Sequence, residues 1–362
     1  MEGNNGALMR RWLVLTLGIV VSAVFLYLGL RGIQLEEVAR RIVGAELIWL
    51  LPGVAIYFLA VWGRTWRWHY LLRPLKRVAP RALFPIVVIG YMGNNVYPFR
   101  AGEVIRAYVL KRNEQVSLTS GLTTIVVERV LDGLVMLIFI FAALPFAPIE
   151  AEWLRTVVIF GALFFFGALA ICLALAARPA YAQRLAHSAL RRFLPARARM
   201  PLLRLLDHLL DRFLDGLKSL RSPRDLLMTL LTSIFIWLTE TTTYWFVMHA
   251  FNLEVSFFAL MLMTAVVNLA TTLPSSPGYI GTFHAPGILV LEAFRVNSEV
   301  AASYTIVLHA ALWLPITMLG FFYLIREGLS WRAFEEAAKA AEAAKRSAES
   351  ETAAAEAGEV RA

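Results

Sequence analysis

A polar run from Gly93 to Arg106 interrupts an otherwise apolar part of the chain. Arg100, Glu103 and Arg106 follow one another at intervals of three, so a helix beginning near Ala101 would carry them on one face. Two guanidiniums beside a helix N-terminus suit a phosphate or a carboxylate, because arginine binds such groups bidentately and the free N–H groups add to the attraction. The alternative is a cytoplasmic loop with solvated charges. The candidate ligands in this run are Asn94, Asn95, Arg100, Glu103 and Arg106.

Two residues of this run are typical of a sharp turn. Pro98 breaks a helix, and Gly102 lets another backbone segment approach closely. Hydrocarbon tolerates irregular backbone and charge only where protein or water surrounds them. We therefore expect Pro98 and Gly102 to form the tip of a re-entrant hairpin.

A second charged cluster, formed by Glu128, Arg129 and Asp132, lies inside the next apolar segment. Arg129 and Asp132 are three residues apart and can pair on one helix face. A charge in the middle of a span costs at least ~3 kcal/mol on insertion scales unless it is paired or hydrated. The cluster is therefore expected inside the helix bundle, either as a substrate contact or as a salt bridge that fixes packing against the hairpin.

A second helix break lies near residue 275. Its turn-forming residues are Pro274, Pro277, Gly278 and Gly281, and its hydroxyls are Ser275 and Ser276. Backbone groups freed by such a break could hold a polar head group, and Asn268 lies shortly before it. The alternative is a simple loop at the outer surface.

Two further titratable residues are candidates for the same site. His284 could titrate near neutral pH, but a lone histidine is more often a hydrogen-bonded packing residue. Glu240 lies one turn from Tyr244 in an apolar segment, where it could pair with an arginine, carry a proton or serve packing alone. The sequence contains no nucleotide-binding loop, nucleophile elbow or His/Cys metal spacing. We therefore expect no cofactor and no metal.

The composition indicates a membrane protein. Hydrophobic residues make up 59% of the chain and charged residues 17%, against about 45–50% and about 25% in soluble domains. Long continuous apolar runs predict an all-α polytopic protein, since a barrel would need short alternating strands. The net charge of +9 lies in loops beside spans, where it sets topology and attracts anionic lipid. No nucleic-acid partner is expected.

Six apolar segments are predicted to cross the membrane within a transmembrane domain of residues 1–330. They are Trp12–Leu30, Leu47–Gly63, Leu118–Leu144, Thr156–Ala177, Leu226–Phe251 and Ala301–Ile325. Residues 178–225 are predicted to form a cytoplasmic amphipathic segment, and residues 331–362 an Ala/Glu-rich cytoplasmic tail. The bases that follow Gly63 without an acid, from Arg64 to Arg81, are expected in a cytoplasmic loop.

The charges of the later loops indicate how the broken segments run. If Ala82–Pro98 crossed the membrane completely, the arginine-rich segment 178–225 would face outside, against the positive-inside rule. A hairpin over Ala82–Arg112 that enters from the cytoplasm and returns there removes this conflict. The same reasoning makes Phe257–Phe294 a hairpin that enters from the outside. The two re-entrant hairpins then belong to an inverted repeat, a recurring plan of transporters, with both termini cytoplasmic.

The order of these motifs resembles that of a known family. The pattern is Asn95-x-x-Pro98-x-Arg100-Ala101-Gly102-Glu103-x-x-Arg106, then Glu128-Arg129-x-x-Asp132, then Pro274-x-x-Pro277-Gly278-x-x-Gly281. It is similar to that of the lysylphosphatidylglycerol synthase transmembrane-region family, also called flippase-like membrane proteins. The resemblance implies movement of aminoacylated phosphatidylglycerol between leaflets, a lipid that a C-terminal soluble domain makes in the best-known members. Because only the Ala/Glu tail follows Ile325, we expect a stand-alone member without that domain.

The predicted function is translocation of a phospholipid or a lipid-linked phosphate across a prokaryotic plasma membrane. Arg100, Arg106 and Arg129 would bind phosphate, and the carboxylates of the two charged clusters would orient them or carry a coupling proton. The alternatives are a membrane-embedded transferase or accessory subunit for lipid aminoacylation or glycosylation, and a structural membrane subunit. The expected partner is a membrane phospholipid or an isoprenoid-phosphate-linked lipid, with a separate synthase as a further candidate.

Overall fold

The computed structural model describes residues 19–97, 100–146, 222–273 and 275–328, together with residue 16 and isolated positions between 160 and 217. Regular secondary structure in these residues is helical throughout. The helices are α1 (Ile19–Leu30), α2 (Leu35–Val43), α3 (Leu50–Leu72), α4 (Pro80–Val96), α5 (Ala101–Glu114), α6 (Leu118–Ala143), α7 (Pro223–His249), α8 (Phe257–Ala270), α9 (His284–Ala293) and α10 (Ser298–Arg326). Single 3-10 turns occupy Leu47–Trp49, Leu144–Phe146 and Pro277–Tyr279.

Three of the described helices are long and apolar enough to cross a membrane: α3 with the 3-10 turn before it, α7 and α10. The pair α1 and α2, bent by 83°, would add a fourth if it formed one span. α6 has 26 residues but carries a charged cluster in its middle. The multi-pass helical class is therefore confirmed. The count of six spans stays a prediction, because Thr156–Ala177 and most of 178–225 lie outside the described residues, as does the tail.

Two pairs of shorter helices lie between the long ones. α4 and α5 have 17 and 14 residues, and α8 and α9 have 14 and 10. At 1.5 Å per residue the longest of the four reaches about 26 Å, short of the roughly 30 Å of a hydrocarbon core. Within each pair the two helices pack against each other, as the arms of a hairpin do.

The connections within both hairpins use left-handed backbone. Arg100 has φ 52° immediately before α5, and Gly278 and Gly281 have φ 72° and 89° before α9. Glycine adopts this conformation without steric cost, which accounts for the two glycines of the second connection. Pro98 and Pro274, predicted to form the turns, lie outside the described residues.

Gly102 fixes how closely the arms of the first hairpin approach. A Cβ placed on it would collide with the carbonyl oxygen of Gly90 and with Asn94, both on α4. The two helices therefore meet there at backbone contact, as the sequence predicted for this glycine. The contact sets the position of the first turn of α5, which carries Glu103.

Helices α3 to α6 form one half of the described bundle and α7 to α10 the other, and the two halves pack on each other reciprocally. α3 packs along α7, the first arm α4 packs on α10, and the first arm α8 packs on α6. Each second arm packs on the long helix that follows it, α5 on α6 and α9 on α10. Each hairpin is thus held by one long helix of its own half and one of the other half.

α3 extends further than the sequence indicated. It runs to Leu72, so Arg64 and Arg67 lie within it and are only 4% and 1% exposed. The prediction that these two belong to a cytoplasmic loop is wrong. A positive-inside count assumes solvated bases, whereas carboxylates from other helices neutralise both of these arginines.

Candidate functional site

Arg67 is the centre of a buried charge network that joins α3, α5, α6 and α7. Its guanidinium donates two hydrogen bonds to the Asp132 carboxylate, one of them at 3.3 Å from Nη2 to Oδ2, and one of 3.0 Å to Ser233 Oγ. Its Nε lies 3.6 Å from Glu128 Oε1. Trp237 Nε1 donates to Asp132 Oδ1 at 2.8 Å. Asp132 is therefore fully paired and fixed from two helices besides its own.

Arg106 and Glu128 form a second part of the same network. Two parallel bonds of 2.7 and 3.1 Å make the pair bidentate, and both side chains are buried. The Arg106 guanidinium also lies 3.6 Å from the ring centroid of Trp68, whose Nε1 donates to Thr124 Oγ1 at 3.0 Å. Arg106, Glu128 and Asp132 thus face protein and do not line the cavity described next.

Between the two hairpins lies a cavity of about 110 Å³. Six residues singled out from the sequence line it, namely Asn94, Asn95, Arg100, Arg129, Glu240 and Asn268. Arg64 and His309 line it as well and were not predicted. Aromatic rings of Tyr91, Trp237 and Trp313 complete much of its wall. The structure therefore brings residues of the polar run, of the charged cluster on α6, and of α7 and α8 to one space.

Three arginines that line this cavity each have a guanidinium nitrogen without a hydrogen-bond acceptor among the described residues. Arg64 pairs with Glu240 through Nη2 and lies against the rings of Tyr91 and Trp237, at 5.3 and 5.1 Å from their centroids. Its Nη1, and the Nε atoms of Arg100 and Arg129, are buried without a hydrogen-bond acceptor among the described residues. Buried charged donors that lack acceptors are costly, so these guanidiniums keep an unmet demand for hydrogen-bond acceptors.

Arg100 and Arg129 share one carboxylate, that of Glu103. The contacts are long, 3.5 Å from Arg100 Nη1 and 3.6 Å from Arg129 Nε, and the three side chains are partly exposed. Arg129 also contacts Asp132 Oδ2 at 3.3 Å, as its spacing on α6 predicted. Glu103 thus contacts both of these cavity-lining arginines but does not line the cavity itself.

The connections of the two hairpins meet at the cavity. The Arg100 guanidinium lies 5.8 Å from the ring centroid of Tyr279, and Gly278 packs near the Asn95 carbonyl oxygen. A second space of about 150 Å³ is lined by Asn94 and by the predicted residues Ser275 and Ser276. Of its lining residues only Arg100 is charged, so we place the polar site in the first cavity, which four charged side chains line.

α1 holds the second connection in place. Ser22 Oγ accepts from the Ser276 backbone N–H at 2.9 Å and donates to Ser276 Oγ at 2.8 Å. Gly281 lies so close to the backbone of Ser22 that a Cβ there would collide with it. These contacts occupy Ser276, whereas Ser275 has no such partner among the described residues and lines the second space.

His284 supports the site from outside the cavity. Its Nδ1 accepts from the Gly281 N–H at 3.2 Å, so a neutral ring carries its proton on Nε2. That nitrogen lies 3.3 Å from Nδ1 of His309, which lines the cavity and stacks on Phe283. Among the described residues, no cluster of His, Cys, Asp or Glu could hold a metal ion.

Arg64, Arg67 and His309 are the site residues that the sequence interpretation missed. A signal for the first two existed: ending the span at Gly63 left it with 17 residues, fewer than the roughly 20 that a crossing helix needs. Extending it by two turns places both arginines on the helix, at a spacing that puts them on one face. Nothing in the sequence distinguished His309 from an ordinary packing residue.

Comparison with known proteins identifies relatives over most of the chain. A family model described as the lysylphosphatidylglycerol synthase TM region matches residues 15–320. The glycosyltransferase AglD of Haloferax volcanii is 25% identical over 88% of this chain, which spans only 57% of that protein. A UPF0104 membrane protein of Methanocaldococcus jannaschii is 20% identical over 86% of this chain and 94% of its own length. A UPF0104 membrane protein of Methanothermobacter thermautotrophicus is 25% identical over 87% of this chain and 93% of its own length.

Proposed function

The chain belongs to the lysylphosphatidylglycerol synthase TM-region family, and from this premise we propose that it moves the phosphate-bearing head group of a lipid across the membrane. The observation that carries the proposal is the cavity between the hairpins, which the three arginines Arg64, Arg100 and Arg129 line. Guanidiniums of this kind bind phosphate oxygens. The acyl chains would stay in the bilayer while the head group passes through the cavity.

The inverted repeat is part of this proposal. It is supported by the reciprocal packing, in which each hairpin lies against a long helix of the other half. In such transporters the site lies where the repeats meet, near the bilayer midplane, between discontinuous helices. The cavity has that relation to the two hairpins, and six full spans would complete the arrangement.

The orientation is also proposed. Asn113, at the end of α5, donates to Glu327 just after α10 at 3.3 Å, so these two ends lie on the same side. With the arginine-rich loops inside, that side is the cytoplasm, and the first hairpin opens to it while the second opens to the outside. Both termini would then be cytoplasmic in a prokaryotic plasma membrane.

We propose different roles for the charged residues of the site. Arg64, Arg100 and Arg129 would hold the phosphate, together with Asn94, Asn95 and Asn268. The buried pairs made by Arg67 and Arg106 would fix α5 and α6 beside the cavity. Glu103 would orient Arg100 and Arg129, and Glu240 would orient Arg64.

Replacement of Arg100 by glutamine is expected to lower the translocation rate about tenfold, because one charge-assisted hydrogen bond is worth about 1.5 kcal/mol or more. The protein is reconstituted in liposomes, and a fluorescent phosphatidylglycerol in the inner leaflet is followed as it becomes accessible to a membrane-impermeant quencher. Arg112→Gln is the matched control, because it removes one exposed base from the other end of the same helix. Equal rates in wild type and Arg100→Gln would refute translocation through this cavity.

A second candidate function is a part in lipid glycosylation, as a transferase or its accessory subunit. The observation that favours it is the similarity to a protein named glycosyltransferase, although this chain spans only 57% of that protein. In this case the cavity would hold the lipid-linked phosphate while a partner supplies the sugar. Lipid binding with no translocation by the reconstituted protein, and sugar transfer only after a partner is added, would favour this function.

A further inference from the structure

The charges at the site leave one positive charge in excess. Among the described residues, the salt bridges at the cavity and in the adjoining buried network connect five arginines with four carboxylates, so one guanidinium has no counter-charge of its own. The arginines are Arg64, Arg67, Arg100, Arg106 and Arg129, and the carboxylates are Glu103, Glu128, Asp132 and Glu240. Buried charges are tolerated when they are paired, so the arrangement is completed by one negative charge.

The excess charge lies at the cavity. Arg67 and Arg106 are turned away from it, and each donates two hydrogen bonds to one carboxylate, Arg67 to Asp132 and Arg106 to Glu128. Arg100 and Arg129 line it and share the carboxylate of Glu103 through longer contacts of 3.5 and 3.6 Å. The missing negative charge would therefore sit between these two arginines.

From this balance we propose that the site selects a head group whose phosphate carries one negative charge, a phosphodiester, over a phosphomonoester that carries two. The inference deepens the proposed function and rests on it. Attraction to the excess charge grows in proportion to the ligand's charge, whereas the cost of removing the ligand from water grows with its square. One uncompensated arginine therefore matches one negative charge, and the second charge of a monoester stays buried and unpaired.

Two lipids that differ by one methyl group test this selectivity. Dihexanoyl phosphatidic acid carries close to two negative charges at pH 8, since a phosphomonoester has its second pKa at about 6. Its methyl ester, dihexanoyl phosphatidylmethanol, carries one. Binding of each to the nanodisc-embedded protein is measured by titration calorimetry. The wild type is expected to bind the methyl ester at least about tenfold more tightly.

Glu240→Gln is expected to weaken or reverse that preference by about tenfold, because it adds one positive charge to the cavity while keeping an acceptor for Arg64. Glu103→Gln also removes one negative charge from the site, at a partly exposed residue. It replaces Glu240→Gln as the test variant if Glu240→Gln does not fold. Glu114→Gln is the matched control: it removes the same charge from the surface pair with Lys76 and should keep the wild-type preference.

The outcomes separate this inference from the translocation proposal. Tighter binding of phosphatidic acid by the wild type, or an unchanged preference in both Glu240→Gln and Glu103→Gln, would overturn the selectivity. A protein that moves lipid in liposomes but shows no preference in binding would refute the selectivity alone. A protein that prefers the methyl ester but moves no lipid would refute translocation and support the selectivity.

Discussion

Arg67→Ala is expected to destabilise the protein by about 3–5 kcal/mol, the usual cost of removing one partner from a buried ion pair. Arg67 donates two hydrogen bonds to Asp132 and contacts Glu128, and the side chain is 1% exposed. Its loss would leave a carboxylate buried without its main counter-charge. Trp237 and Arg129 would still contact Asp132 but could not replace both bonds.

Thermal unfolding of the detergent-purified protein, followed by tryptophan fluorescence, measures this loss. Arg73→Ala is the matched control from the end of the same helix, because Arg73 pairs with Asp225 near the surface, where a pair is worth at most about 1 kcal/mol. Adding Asp132→Asn to Arg67→Ala should recover part of the loss by removing the orphaned charge. A loss for Arg67→Ala no greater than that of Arg73→Ala would show that the network is not a structural centre.

Gly102→Ala is expected to cost about 3 kcal/mol or more, at the upper end for overpacking. The added Cβ would overlap the Gly90 carbonyl oxygen and Asn94, and backbone atoms cannot move aside as a side chain can. The arms of the first hairpin would separate, and Arg100 would move with the start of α5. Translocation should fall together with stability.

Gly121→Ala provides the control for this change, since it makes the same substitution within a buried helix. The nearest atoms to a Cβ at Gly121 are 3.5 Å away, an ordinary van der Waals contact. Alanine also favours helix over glycine by about 0.5–1 kcal/mol, so this variant should unfold at the wild-type temperature or above. Similar unfolding temperatures for the two variants would contradict the close contact between α4 and α5.

The helical class and much of the polar part of the cavity lining were predictable from the sequence because their signals are local. Apolar length reveals a span, and a run such as Arg100 to Arg106 conflicts visibly with its apolar surroundings. The link from Arg129 to Asp132 follows from helix spacing alone. The close approach of another backbone segment at Gly102 was predictable for the same reason, since a glycine has no side chain to keep that segment away.

The partners across helices could not be predicted in this way. Arg67 meets Asp132 although 65 residues separate them, and Arg64 meets Glu240 across 176 residues. Because these pairings were unknown, Arg64 and Arg67 were predicted to lie in a cytoplasmic loop. For the same reason Arg106 was predicted to bind phosphate. Which guanidiniums remain open to the cavity depends on where the acids of other helices lie, and helix spacing carries no such information.

The proposed mechanism requires the two hairpins to open to opposite faces, so that their tips meet between the leaflets. Single cysteines at Asn113, after the first hairpin, and Glu254, before the second, test this directly in a protein whose only native cysteine, Cys172, is replaced by serine. A membrane-impermeant maleimide applied to intact cells should label Glu254→Cys at once and Asn113→Cys only after permeabilisation. Labelling of both positions from the same side would contradict the inverted arrangement, and with it a cavity that serves both leaflets.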